Sequence, residues 1–290
     1  MSERGARAWI LTPVWLWLGT LVALPFGIVA KLSISEQALA RPPYRPLLAW
    51  EEGGAVWQGT LGNYLMLATD PLYLRALASS VALAAGSTAI ALLVGLGLAQ
   101  AAIRAPLRWR ALALAAIVLP FWTPSLIRIY AWIGILKPEG YLNAALRALG
   151  AIEQPLAIHG SWAAVTIGLV YTYLPFAVLP IYAALERQDP ALAEAAADLG
   201  CPPWRAFWIV TVPAAWPGLA VGGLLMFCPA VGEFVVPELL GGPGTPMMGR
   251  VVWLEFFNNR DWPLASAAAM ALVAILAAPF LIHQRLGARR

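Results

Sequence analysis

Glu194 and Asp198 stand four residues apart in the stretch 188–213, QDPALAEAAADLGCPPWRAFWIVTVP, so on a helix their carboxylates share one flank. Alanine fills most of the positions between and around them, which leaves a slim rod with an anionic edge. That shape suits entry into a groove on another protein; a capped helix lying free on a surface would read the same way. A second carboxylate, Glu233, falls in an otherwise apolar run, where an ionised group costs on the order of a few kcal/mol at mid-bilayer depth and turns toward a polar cavity or a partner. Glu233 and Glu238, with the aromatic side chains Trp122, Tyr130 and Trp132, are the residue types that hold an organic cation: an anionic partner and π faces. Arg128 is the one base inside an apolar segment, and the competing reading pairs it with Glu233 as an internal lock.

Other chemistry finds little support. No stretch follows the G-x-x-x-x-G-K-[ST] phosphate loop, and the only lysines, Lys31 and Lys137, follow no such glycines. No Ser, His and Asp set with a nucleophile elbow is present, which argues against a hydrolase. His159 and His283 are isolated at segment edges and read as surface histidines without metal-ligand spacing. Cys201 and Cys228 fall in a loop and in a span, so they read as two inert thiols rather than a disulfide.

The elements that must position these groups are set by composition. Of 290 residues, 61% are hydrophobic and 12% charged, against about a quarter charged in a soluble domain, so the chain is an integral membrane protein. Six segments are long and apolar enough to cross a bilayer: 9–30, 76–101, 111–136, 161–185, 214–236 and 263–283. Backbone groups in lipid must be bonded internally, so these are helices, and residues 1–290 read as a single all-α transmembrane domain. The run at 9–30 lacks a small-residue cleavage site and is kept as a permanent span rather than a signal peptide. Bases are densest in the loop 102–110, with three arginines and no acid, which places both termini in the cytoplasm. Trp9, Trp109, Trp162, Trp216 and Trp262 fall at or near span ends, as interfacial anchors. No basic run suggests nucleic acid.

Within 188–213, Asp189-Pro190 is a helix start and Gly200 the matching stop, predicting a helix of about three turns; a second short helix is expected from Pro202-Pro203, ending before Pro213. Glu194-Ala195-Ala196, then Gly200, then Val210-Thr211-Val212-Pro213 closely resemble the EAA loop of ABC importer permeases, with valines where Ile and Leu are usual. LPFWTPSLIRIYAWIGIL at 119–136 resembles the third span of polyamine permeases, and PAVGEFVVPELLGGPGTPMMGRVVWLEFFNNRDWPLAS at 229–266 resembles the corresponding region of putrescine-transporter permeases.

The resemblance implies a type I ABC importer permease: six transmembrane helices with a cytoplasmic helical coupling loop at 188–213 between the fourth and fifth. Glu194, Ala195, Ala196, Asp198 and Gly200 would then be the residues that dock on an ABC ATPase homodimer. A second homologous permease and a periplasmic polyamine-binding protein would complete the complex. The polar residues Asn258, Asn259 and Asp261 are candidates for touching that binding protein, although a solvated loop reads equally well. The chain would carry no cofactor and no catalytic site, ATP and Mg being bound by the partner ATPase, and its cation route would run past Glu233 by alternating access. The rival readings are a permease for iron, thiamine or an anion, a secondary transporter driven by an ion gradient, and a membrane-embedded enzyme.

Overall fold

The computed structural model describes residues 3–51 and 54–287. Its elements in chain order are α1 (Glu3–Leu18), α2 (Leu24–Ser33), the hairpin strands β1 (Leu48–Glu51) and β2 (Gly54–Trp57), α3 (Gly62–Thr69), α4 (Pro71–Arg104), α5 (Leu107–Val118), α6 (Ser125–Leu136), α7 (Tyr141–Ala148) and α8 (Trp162–Glu186). They continue through α9 (Ala191–Asp198), α10 (Pro203–Ala206), α11 (Val212–Val231), α12 (Val235–Leu240), α13 (Met248–Trp253) and α14 (Trp262–Gly287). The chain divides into two compact units, one comprising the chain up to Leu74 with Val251–Leu281, the other Arg75–Arg250.

Among the described residues four helices are long and apolar enough to cross a membrane, Leu11–Ser33, Pro71–Arg104, Trp162–Glu186 and Pro203–Val231. At about 1.5 Å per residue the 34-residue α4 is roughly 50 Å long, more than the ~30 Å hydrocarbon layer, so it tilts or reaches past it. The expected third span at 111–136 is not one rod: Leu107–Trp122 and Ser125–Ala148 meet at 94°. The cause is Pro124, which has no N–H for the ladder and drives Thr123 into extended backbone, φ −78° and ψ 146°. The freed carbonyl of Pro120 is taken by the Thr123 hydroxyl at 2.7 Å. The last apolar segment, Trp262–Ala277, lies within the 26-residue α14.

The fifth span also departs from expectation at both ends. It begins at Pro203 and runs through Pro213, where a separate short helix was expected, because the turn at Phe207–Thr211 widens to i→i+5 bonding immediately before the proline and absorbs its missing donor. It stops at Val231 rather than Val236, with Gly232 as its cap, and α12 starts afresh at Val235.

The core of the larger unit is the crossing of α8 and α11. Gly218 and Gly222, one turn apart, bring the backbones together, since a Cβ at Gly218 would fall on the carbonyl of Pro180 and 2.8 Å from the Ile181 Cα. Beside this seam Leu96, Ala99, Val178, Ile181 and Ala215 pack as one buried cluster. Gly168 of α8 leaves the notch that admits Leu240 and Val236 of α12, both fully buried.

In the other unit, Asn63 donates to the carbonyls of Ser33 and Ser35 at 2.9 Å each, and Tyr64 donates to the Ser33 hydroxyl at 2.8 Å, tying α3 to the end of α2. The two-stranded hairpin is the only regular non-helical element among the described residues. By contrast Leu11–Ser33 leaves Trp15, Leu16 and Trp17 exposed, an apolar rod whose solvent is lipid rather than water. The side chains of Trp9 and His283 lie outside the described residues.

Candidate functional site

The first half of the loop at 188–213 forms the expected capped helix, α9, whereas its second half is the start of the fifth span. The Asp189 carboxylate accepts the Ala191 N–H at 3.0 Å and starts α9. At the other end Gly200 takes φ +73°, while Cys201 N–H reaches the Ala196 carbonyl at 3.0 Å and Gly200 N–H the Ala197 carbonyl at 2.8 Å. These two bonds are the reciprocal Schellman closure, and they need a residue free to adopt positive φ at position 200.

Of the five proposed docking residues, Glu194, Ala195, Asp198 and Gly200 are exposed, whereas Ala196 is buried against its own chain. Two residues not singled out from sequence are exposed beside them. Leu192 is 54% exposed and Leu199 is 88% exposed, and with Ala195 they form an i, i+3, i+7 stripe along one face. A leucine seven residues from another on a capped surface helix is the signal that would have found them.

Forcing a branched side chain into the left-handed conformation costs roughly 1–2 kcal/mol. Gly200→Val is therefore expected to open the closure at the end of α9. The check is hydrogen–deuterium exchange, with faster exchange at the amides of residues 200 and 201 and unchanged protection in α8 and α11.

The charged groups in the membrane part are arranged differently from the expectation. Glu233 lies in the break between α11 and α12, not within the span. Its Oε1 accepts the N–H groups of Phe234 at 3.1 Å and Val235 at 2.9 Å, and its Oε2 accepts a short bond from the Tyr173 hydroxyl of α8. Among the described residues no ion pair joins Glu233 to Arg128. Arg128, near the start of α6, instead lies over the Phe121 ring at 5.2 Å, and its Nε is buried without a hydrogen-bond partner among the described residues. Phe121 meets Phe176 edge-on at 5.4 Å, and Phe176 lies 6.2 Å from Tyr173.

The structure thus gathers Glu233, Tyr173, Phe176, Phe121 and Arg128 into one polar and aromatic cluster. The other proposed pathway residues fall around it unevenly. Trp132 packs edge-on against Tyr171 at 5.3 Å, Trp122 and Tyr130 are exposed, and Glu238 is engaged by Arg250 at 2.5 Å. Tyr173 and Phe176 had no distinguishing mark in an apolar helix; only the fold puts them opposite the helix break.

At the third candidate position, Asn258 is exposed, but its neighbours serve the chain itself. Asn259 donates to Glu255 at 2.8 Å, and the Asp261 carboxylate accepts the Leu264 N–H at 2.9 Å as the first cap of α14. Burial pushes the Asp261 carboxyl above its ordinary range, its bond to Leu264 pulls the other way, and the nearby Glu255 adds to the rise. Glu255 is itself buried, accepting also from the Tyr73 hydroxyl at 2.9 Å. His159 is not a free surface histidine either; it is half-buried with Nε2 3.2 Å from the Leu239 carbonyl, bracing the end of α12. Cys201 and Cys228 are both free thiols.

Apolar spanning helices, a broken third segment and a capped helix between the Trp162–Glu186 and Pro203–Val231 spans define a polytopic membrane protein. The profile of the family described as binding-protein-dependent transport system inner membrane component matches residues 91–290, and the chain belongs to that family. It is 40% identical over 226 residues to the spermidine/putrescine transport system permease protein PotB of Escherichia coli K12, covering 78% of this chain and 82% of that one. The inner membrane ABC transporter permease protein YdcU of the same organism is 31% identical over 262 residues, covering 80% and 82%.

Among solved structures, a chain of a bacterial ABC transporter involved in the import of the acidic polysaccharide alginate superposes with a TM-score of 0.75. It shares 17% identity and covers 98% of this chain and 96% of its own, which establishes the ABC importer permease fold. The protein is therefore an inner-membrane, multi-pass permease component that works with a binding protein and an ATPase, and it is not itself an enzyme.

Proposed function

We propose that the chain forms half of the translocation pathway of an importer for polyamines such as putrescine or spermidine, working by alternating access. Both termini and the 188–213 loop face the cytoplasm in this reading. The exposed stripe Leu192–Ala195–Leu199, flanked by Glu194 and Asp198, enters a cleft on an ATPase homodimer that binds ATP and Mg. A second homologous permease supplies the other half of the path, and a periplasmic polyamine-binding protein delivers the substrate. Residues 1–290 act as one permease domain in this scheme.

The observation that carries the substrate class is the carboxylate of Glu233 held at a helix break beside Tyr173, Phe176 and Phe121. Its hydrogen-bond partners are two backbone N–H groups and the Tyr173 hydroxyl, and no ion pair engages it among the described residues, which leaves it open to a cation from the pathway. A rim of aromatic rings then complements the methylene chain and the ammonium ends of a diamine.

The test is uptake of radiolabelled putrescine into vesicles that hold the whole complex. Unlabelled putrescine or spermidine is expected to suppress the signal at micromolar excess, while molybdate, thiamine and ferric iron leave it unchanged. Suppression by one of the latter instead, with no polyamine uptake, overturns the assignment.

A further inference from the structure

The end of α4 and the start of the Pro203–Val231 helix enclose a cleft of about 510 Å³, whose polar walls are Gln100 and Arg104 and whose rings are Trp204, Phe207 and Trp208. We propose that this cleft seats the headgroup of an anionic phospholipid. No carboxylate lines it, and neither ion pair among the described residues uses Arg104, an exposed side chain. Arg104 therefore offers a full guanidinium fork, the donor geometry that matches a phosphate with two parallel bonds.

Depth matches as well. Arg104 is the last residue of a 34-residue apolar helix and Pro203 the first of the Pro203–Val231 spanning helix, so the cleft lies where two spans end. Trp204 and Trp208, one helical turn apart, expose 69% and 57% of their surface at that level, where an indole prefers the headgroup layer. Basic pockets between helices at the cytoplasmic face are suited to such headgroups.

The lower wall distinguishes a lipid from a soluble anion. One turn deeper than Gln100 and Ala101, Gly97 also lines the cleft, and a side chain there would meet nothing within 4 Å, so the cleft is open on its bilayer side. A free phosphate has no use for that open apolar side, whereas the glycerol and upper acyl carbons of a phospholipid can lie along it. The seat also has a mechanical neighbour. Gln100, Arg104, Pro203 and Phe207 line a second cavity of about 340 Å³, whose other walls include Asp189, Ala193 and Ala197 of the 188–213 loop. A lipid bound at Arg104 thus braces the wall directly behind α9.

The proposal rests on the permease reading and on that loop lying at the inner surface, but not on the identity of the substrate. The probe is phosphatidylglycerol added to the delipidated, assembled transporter, counted by native mass spectrometry. Arg104→Gln and Trp208→Ala are each expected to retain one phosphatidylglycerol fewer than the parent, while Arg147→Gln retains the parental number. Inorganic phosphate at millimolar concentration is expected not to displace the lipid.

Equal retention by the parent, Arg104→Gln and Trp208→Ala overturns the site. So does displacement by phosphate, which would make it a soluble-anion site. Because no transported solute enters the count, a failed polyamine uptake assay and a failed lipid count are separate results.

Discussion

Glu233→Gln, introduced into the assembled importer, is expected to lower polyamine uptake by about 10- to 100-fold, the loss of one charge-assisted contact worth roughly 1.5–3 kcal/mol. The substitution is nearly isosteric, and the amide oxygen still accepts the N–H groups of Phe234 and Val235 that open α12. The complex should therefore assemble in parental amounts, so that the loss reads as charge rather than misfolding. Tyr173→Phe is the companion variant, because it removes the hydroxyl that occupies Oε2 and leaves the carboxylate itself in place. It is expected to retain most of the uptake. If Glu233→Gln transports at the parental rate, the carboxylate is only a helix cap and the substrate route lies elsewhere. If Tyr173→Phe fails as badly as Glu233→Gln, the pair acts as a structural clasp instead.

The second large effect concerns stability. Gly218→Ala is expected to destabilise the α8–α11 seam by at least about 2 kcal/mol, since the added methyl meets the Pro180 carbonyl, the Ile181 Cα and the Ala184 Cβ. Two of those atoms are backbone and belong to a helix packed on both sides, so no rotamer change relieves the overlap. Gly223→Ala, five residues on, is the matched comparison. There the methyl would meet only the Leu92 Cδ1 at 3.4 Å and the Thr88 Cγ2 at 4.0 Å, an ordinary contact, and stability should stay within about 0.5 kcal/mol of the parent.

The measurement is thermal unfolding in detergent, together with the yield of folded protein from membranes. Folded proteins carry only ~5–15 kcal/mol of net stability, so the first variant should lose a visible share of yield and the second should not. Equal behaviour of the two variants would mean that the seam is looser than its glycines imply.

Two of the deviations from the expected spans share a cause in proline. Pro124 breaks the third segment because the residue before it is forced out of helical backbone, an effect readable in the motif WTPS but outweighed by the apolar run around it. Pro213 does the opposite, passing inside a continuous helix because the preceding turn widens. A proline fixes only its own φ and removes one donor; whether the chain bends or absorbs the defect depends on what can satisfy the freed carbonyl, and that is a tertiary matter.

The capped helix α9 was legible because its signals are local. A cap at Asp189, a glycine at position 200 and alanines between them act within one or two helical turns, so their spacing in the chain is their spacing in space. Glu233 as a conspicuous carboxylate was legible for the same reason, since burying a charge is costly wherever the helix lies. Its partner was not: Tyr173 is 60 residues away, and the competing choice, Arg128, has the better charge but the wrong position. Asn259 and Asp261 likewise present the right chemistry for a partner's surface, yet the turn before α14 spends both on Glu255 and Leu264.

By itself, then, the sequence determined the solvent, the class of fold and the capped helix of the 188–213 loop, because hydrophobic length, turn chemistry and capping are properties of neighbouring residues. Which carboxylate goes without an ion pair, which tyrosine meets it, and which glycines let two helices touch were decided only when distant segments packed, since those outcomes depend on sub-ångström approach between residues that no local rule connects.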